Sequence, residues 1–208
     1  MALVLVVLVV LGLLVLSEMW WRTKKVHDEL SRKFVHISVG SFIAFWPFIL
    51  SWNQIRLLSL AFLIGVAVSK YLNIFKAIHS VQRPTWGELF FALAVGLVTF
   101  VTHDKRIYAA ALLQMSLADG LAAVIGVRYG KRNRYHIFGS RKSVTGTLVF
   151  LIVSLAILID YRFVSGTSLN VAWLLLTAGL ATVLENLAAL GLDNLAVPLV
   201  VAWLLTSL

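Results

Sequence analysis

Apolar residues gather along this chain into eight long runs, at about 2–17, 34–50, 55–73, 88–102, 107–127, 146–160, 170–190 and 194–208. A helix needs roughly 20 such residues to cross a bilayer. The pattern predicts an all-α fold, a polytopic integral membrane helical bundle of about 7–8 transmembrane helices. The eighth run is short for a full span. No stretch between runs is polar and long enough for a second domain, so 1–208 reads as a single transmembrane domain. The first run has no basic flank before it and no small-residue cleavage site, so it reads as a retained helix rather than a signal peptide.

Composition agrees with this class. The 208 residues are 61% hydrophobic and only 13% charged, far from soluble usage. The absence of cysteine excludes disulfides, thiolate metal sites and cysteine nucleophiles. A net charge of +9 would suit nucleic acid in a soluble protein; in a membrane chain it belongs to cytoplasmic loops, and no nucleic-acid partner is expected. The basic residues also set an orientation. Arg22, Lys24, Lys25, Arg32 and Lys33 follow the first run, and Lys70, Lys76 and Arg83 the third. Arg128, Lys131, Arg132, Arg134, Arg141 and Lys142 follow the fifth. Only Arg56, Lys105, Arg106 and Arg162 fall in the alternate loops. The positive-inside rule then puts the N-terminus outside and the odd-numbered loops in the cytoplasm. A multi-pass protein of a plasma membrane or an endoplasmic-type membrane is expected, and its glycine-bearing helices suit pairing into a homodimer.

A few polar residues interrupt the apolar runs. Asp119 lies in the fifth run, about two turns before its cytoplasmic end. A carboxylate there costs several kcal/mol unless paired or hydrated, and it marks a functional site by default. Mg²⁺ takes carboxylate oxygens together with substrate phosphates, so Asp119 is a candidate metal ligand; an ion pair holding two helices together is the plainer alternative. The basic loop 128–145 follows. Its second half, Gly139-Ser140-Arg141-Lys142-Ser143-Val144-Thr145-Gly146, sets glycines, hydroxyls and cations just before a helix. Backbone N–H groups at a helix start, with Lys and Arg, suit phosphate oxygens. It is no P-loop, because G-x-x-x-x-G-K-[ST] is absent. Glu185 lies among apolar neighbours in the seventh run and Asp193 just after it, both towards the side of Asp119. Asp193 could serve only as a helix N-cap. Arg32, Lys33 and His36 share one helix face, where they could meet phosphate or a substrate hydroxyl. Glu88 opens the fourth run, where a first-turn carboxylate is favourable by itself.

Taken in order, these motifs resemble a family. R-K-x-x-H is carried by Arg32, Lys33 and His36, and G-E-L begins with Gly87 and Glu88. A-D-G-x-x-x-x-x-G-x-x-x-G-K holds Asp119, Gly126, Gly130 and Lys131, and K-S-x-x-G holds Lys142, Ser143 and Gly146. E-N-x-x-x-x-G-x-D-N-x-x-x-P holds Glu185, Gly191, Asp193, Asn194 and Pro198. The set, spanning about 29–200, resembles the CTP-dependent lipid-alcohol kinases, which include dolichol kinase, phytol kinase and a CTP-using diacylglycerol kinase. The resemblance implies a Mg²⁺-dependent transfer of the γ-phosphate of CTP to the hydroxyl of a membrane lipid alcohol: a polyprenol or dolichol, a phytol-like prenol, or diacylglycerol. It implies metal ligation by Asp119, Glu185 and Asp193, and catalysis by these with His36. Nucleotide and phosphate binding would fall to Arg32, Lys33, Lys131, Arg141, Lys142, Ser143, Gly126, Gly130, Gly146 and Asn194, with the basic loop as the nucleotide-binding element. The base would be Asp193 or His36.

Two other functions compete. Phosphatidate cytidylyltransferase is similar in its second half, but its ending, with P-G-H-G-G and a later D-R-x-D, is missing here. A small membrane transporter using Asp119 and Glu185 would place its charges near the midplane between paired halves, and no such halves are visible. A scaffold binding anionic lipid explains the cations but not the buried carboxylates.

Overall fold

The computed structural model describes residues 1–24, 28–72, 86–167 and 169–207. The basic residues Lys25, Lys76 and Arg83 lie outside them. The chain forms helices α1 (Ala2–Lys24), α2 (Asp28–Ala44), α3 (Trp52–Leu72) and α4 (Gly87–Val101), then α5 (Lys105–Tyr129). A two-stranded antiparallel hairpin follows, β1 (Arg134–Ile137) and β2 (Ser140–Ser143), and then α6 (Val144–Ser165), α7 (Val171–Leu187) and α8 (Asp193–Thr206). The eight apolar runs therefore correspond one to one with helices among the described residues.

Local chemistry sets the ends of several helices. α2 starts before its apolar run of 34–50 and ends before that run does, because Pro47 has no N–H to continue the ladder and the chain makes a short 3-10 turn at Trp46–Phe48. The Asp104 carboxylate caps α5, accepting from Arg106 N at 2.7 Å and Ile107 N at 3.2 Å. Ser143 caps α6 through Gly146 N, and Asn170 caps α7 through Trp173 N. α6 ends at Gly166, whose φ of +68° closes the last turn in the left-handed region.

Four helices, α1, α3, α5 and α6, are long and apolar enough to cross a membrane, while α4, α7 and α8 are shorter apolar helices of 15, 17 and 14 residues. α5 is the centre of the packing: 61% of its apolar window is buried, against 22% for α1 and α3 and 33% for α6. It contacts α2, α6 and α8, while α4 packs between α3 and α8 and α7 packs on α6 and α8. Tyr108, Leu112 and Met115 of α5 are fully buried with Phe150 and Leu158 of α6. The Tyr108 hydroxyl, which would be costly to bury alone, donates to the Val95 carbonyl at 3.1 Å. α1 and α3 instead turn apolar residues such as Leu8, Leu11, Leu60 and Ile64 outward.

One element departs from the expected all-α bundle. The basic stretch after the fifth run is a β-hairpin, not an irregular loop. Its two-residue turn is Phe138-Gly139, with φ of +43° and +74°. Positive φ at both central positions matches the mirror-image turns that follow strand twist. The pairing sets Arg134 opposite Ser143, Tyr135 opposite Lys142, and His136 opposite Arg141.

Candidate functional site

The site begins at an irregularity in α5. Residues Gln114–Ala118 make a π turn, and the Asp119 N–H reaches back to the Gln114 carbonyl instead of to Met115. The Met115 carbonyl is instead contacted by His36 Nε2 of α2, at 2.8 Å. A carbonyl only accepts, so Nε2 carries the proton and donates. Such π turns are frequent at functional sites. This one presents Asp119 to α2, where Lys33 Nζ donates to Asp119 Oδ2 at 2.5 Å and His36 Nε2 lies 3.3 Å from the same oxygen. The two partners of the ion pair are each only 8% exposed.

The hairpin closes the second side. Tyr135 and Lys142 are cross-strand neighbours and share a face, and that face docks on the end of α7. Lys142 Nζ donates to the Glu185 carbonyl at 2.7 Å and to the Glu185 carboxylate. The Tyr135 hydroxyl donates to the Asn186 side chain and meets Thr147 Oγ1 at 2.6 Å. Burial lowers the pKa of the Lys142 ammonium, but the carboxylates of Glu185, Asp193 and Asp119 outweigh it and hold the group above its ordinary value.

Two close backbone approaches fix the remaining walls. Where α5 crosses the start of α6, a Cβ on Gly126 would lie 3.2 Å from Gly146 Cα and 2.9 Å from Ser143 Oγ. At the start of α8, a Cβ on Gly191, at φ +90°, would lie 2.5 Å from Gly87 Cα. The Trp86 N–H donates to the Leu190 carbonyl at 3.0 Å, and Asn194 Nδ2 donates to the Gly87 carbonyl at 3.0 Å. This lock joins the starts of α4 and α8, and it sets Asp193 beside the other carboxylates.

Together these elements surround a cavity of about 430 Å³, within the usual range for small-molecule sites. Three carboxylates, Asp119, Glu185 and Asp193, reach it with oxygens within 4.8 Å of one another. Five cations line it, Arg32, Lys33, Arg134, Arg141 and Lys142, leaving an excess of positive charge that favours a polyanion. Ser143, Gly126 and Gly146 also line it, at the start of α6, where the helix dipole is positive.

Most of the sequence-predicted residues therefore meet at one cavity, but not all in the same way. Lys131 is exposed and outside the lining, and Gly130 serves the turn, with no room for a Cβ against Ser143. The Asn194 side chain is spent on the Gly87 carbonyl. His36 lies beside the cavity rather than in its lining, holding the π turn and touching Asp119. Arg134 and Ser140, expected only as members of the basic nucleotide-binding stretch, line the cavity themselves; Tyr135 and Thr147, which with Asn186 brace the hairpin, carried no sequence signal of their own. Strand alternation across Phe138-Gly139 is the signal that sets Tyr135 beside Lys142.

The donor set fits a hard divalent cation. Three converging carboxylates offer oxygen ligands only, as Mg²⁺ prefers. They repel one another unless cations intervene, and Lys33 and Lys142 supply that compensation for Asp119 and Glu185.

Relatives carry the same length of chain. A phytol kinase of Synechocystis sp. is 38% identical over 207 residues, covering 93% of this chain and 87% of that protein. An uncharacterised protein of Methanocaldococcus jannaschii is 28% identical over 189 residues, covering 85% of this chain and 92% of its own. No family model and no solved structure matches. Identity of this extent, along nearly the whole chain, shows that the protein belongs to the lipid-alcohol kinase family that includes phytol kinase.

Proposed function

We propose that this protein is a membrane-embedded kinase that transfers the γ-phosphate of CTP to the hydroxyl of a lipid alcohol, with phytol-like prenols the first candidates. The observation that carries this is the single cavity in which three carboxylates within 4.8 Å of one another face five cations. Phosphoryl transfer needs positioning and charge neutralisation more than covalent help from the protein, and this lining offers both.

Asp119, Glu185 and Asp193 would hold Mg²⁺, which neutralises phosphate charge when bound. Arg134, Arg141 and Lys142 stand along the hairpin to take phosphate oxygens, with the start of α6 beneath them. Lys33 and Arg32 line the cavity from α2. His36 positions Asp119 through the π turn; with Nε2 donating, a base role falls to Asp193 rather than to that nitrogen. The hydroxyl oxygen attacks the γ-phosphorus as the bond to the leaving nucleoside diphosphate breaks, and the hydroxyl proton passes to the Asp193 carboxylate. The basic hairpin would face the cytoplasm, in a multi-pass protein with its N-terminus outside.

Purified protein offered CTP labelled at the α or the γ phosphate, with Mg²⁺ and a panel of prenols, diacylglycerol and phosphatidic acid, tests this. Label reaching a lipid alcohol from the γ position only is the expected result. Label from the α position would make the protein a cytidylyltransferase, and no transfer from CTP or ATP to any lipid would overturn the kinase reading.

A further inference from the structure

A second, smaller cavity of about 60 Å³ adjoins the first. Arg32 lines both cavities, and His36, which lines the second, touches Asp119 of the first. Its walls are apolar: Leu14 of α1, Val39 of α2, Phe62 and Val66 of α3, and Phe91 of α4. The Phe91 ring stands edge-on to His36 with centroids 5.3 Å apart. One carboxylate, Glu88, enters this wall from the first turn of α4. Among the described residues Glu88 is half-buried and makes no hydrogen bond or ion pair. A first-turn carboxylate needs no partner for helix stability alone. However, the Gly191–Gly87–Asn194 lock holds this turn rigidly against α8, so Glu88 has a fixed place in an apolar wall next to the phosphate cavity.

We infer that this second cavity is the acceptor subsite of the kinase proposed above: it holds the first carbons of a single-chain lipid alcohol, and Glu88 accepts a hydrogen bond from the hydroxyl of the bound lipid before transfer, the hydroxyl then turning its proton from Glu88 to Asp193 as its oxygen meets the phosphate. Three observations carry the assignment. The cavity adjoins the anion-favouring cavity, with Arg32 in the lining of both and His36 beside Asp119, so a hydroxyl at its polar end would lie next to the transferring phosphate. It holds on the order of four water-sized groups, which fits the start of one chain and not the two ester-bearing arms of a diacylglycerol. Its lining also includes Leu14 of α1 and Phe62 and Val66 of α3, helices that turn other apolar residues outward, which suits lateral entry of a chain from lipid.

The inference rests on the kinase reading, and two measurements separate their failures. The first is photo-cross-linking of a diazirine-bearing prenol to the whole protein in bilayer nanodiscs, mapped by mass spectrometry, which reads binding without turnover. Adducts on Phe62, Val66 or Phe91, competed by unlabelled prenol and lost in Val66→Trp, are expected; adducts confined to other helices overturn the subsite. The second is steady-state kinetics of lipid phosphorylation. Glu88→Leu should raise the KM for the prenol by about tenfold to a hundredfold, the size of a lost hydrogen bond to a charged group, with the nucleotide KM unchanged. Glu88→Gln, which keeps an acceptor oxygen, should recover part of that loss. A prenol KM unchanged in Glu88→Leu, or a nucleotide KM that rises equally, overturns the role of Glu88. Cross-linking as expected in a protein that transfers no phosphate would refute the kinase reading and leave the lipid site standing.

Discussion

The ion pair between Lys33 and Asp119 joins α2 to α5 across 86 residues of chain, with both side chains 8% exposed and 2.5 Å between the charged atoms. Removing one partner of such a pair leaves the other charge buried and uncompensated, at about 3–5 kcal/mol. At 1.4 kcal/mol per tenfold, Asp119→Asn should shift the folding equilibrium by roughly a hundredfold to a few thousandfold. The same substitution therefore removes a proposed metal ligand and weakens the fold. The double variant Lys33→Met/Asp119→Asn removes both charges and should be more stable than Asp119→Asn alone, because no ammonium is then stranded. The measurement is equilibrium unfolding in mixed micelles, followed by the fluorescence of the 7 tryptophans, on wild type, both single variants and the double variant. If Asp119→Asn unfolds within about 1 kcal/mol of wild type, or if the single losses simply add in the double variant, the two residues are not energetically coupled and the reasoning fails. Kinase activity is then read on the folded double variant. It should be absent, and activity near wild type would remove Asp119 from the chemistry.

Two further outcomes test the walls of the site. Gly191→Ala forces a side chain into φ +90° and against Gly87 Cα at 2.5 Å, so it should cost more than the roughly 1–3 kcal/mol of backbone strain alone. Gly166→Ala, at φ +68° with open space around it, should lower Tm clearly less, and equal losses would refute the lock between α4 and α8. Lys142, whose pKa is raised in the folded protein, contributes stability that is fully present below the ordinary lysine value of about 10.4 and is lost only as pH rises through the higher folded value. The Tm difference between wild type and Lys142→Met should therefore stay constant from about pH 7 to 10, and a difference shrinking by pH 9 would contradict the electrostatic account.

The sequence by itself determined the helices and the charges. Eight apolar runs became eight helices because an apolar stretch, in lipid or in a core, must satisfy its backbone internally. Asp119, Glu185 and Asp193 stood out because a carboxylate in such a run is costly unless it is compensated. Only the tertiary structure decided how those charges are used. The π turn that frees the Met115 carbonyl for His36 depends on α2 packing there, and no local propensity announces it. The hairpin was hidden because its strands are short and charged, and its turn uses Phe-Gly rather than Asn-Gly. Its register sets Lys142 beside Tyr135 on the face held at Glu185, while Lys131 precedes β1 and stays outside the cavity. Asn194, expected among the nucleotide-binding residues, donates to the Gly87 carbonyl, in a clasp completed by the close approach of Gly191 to Gly87. Burial and periodicity are local sums that a sequence carries. Which cation meets which carboxylate is set by helix crossings between residues dozens of positions apart, and those exist only once the chain is folded.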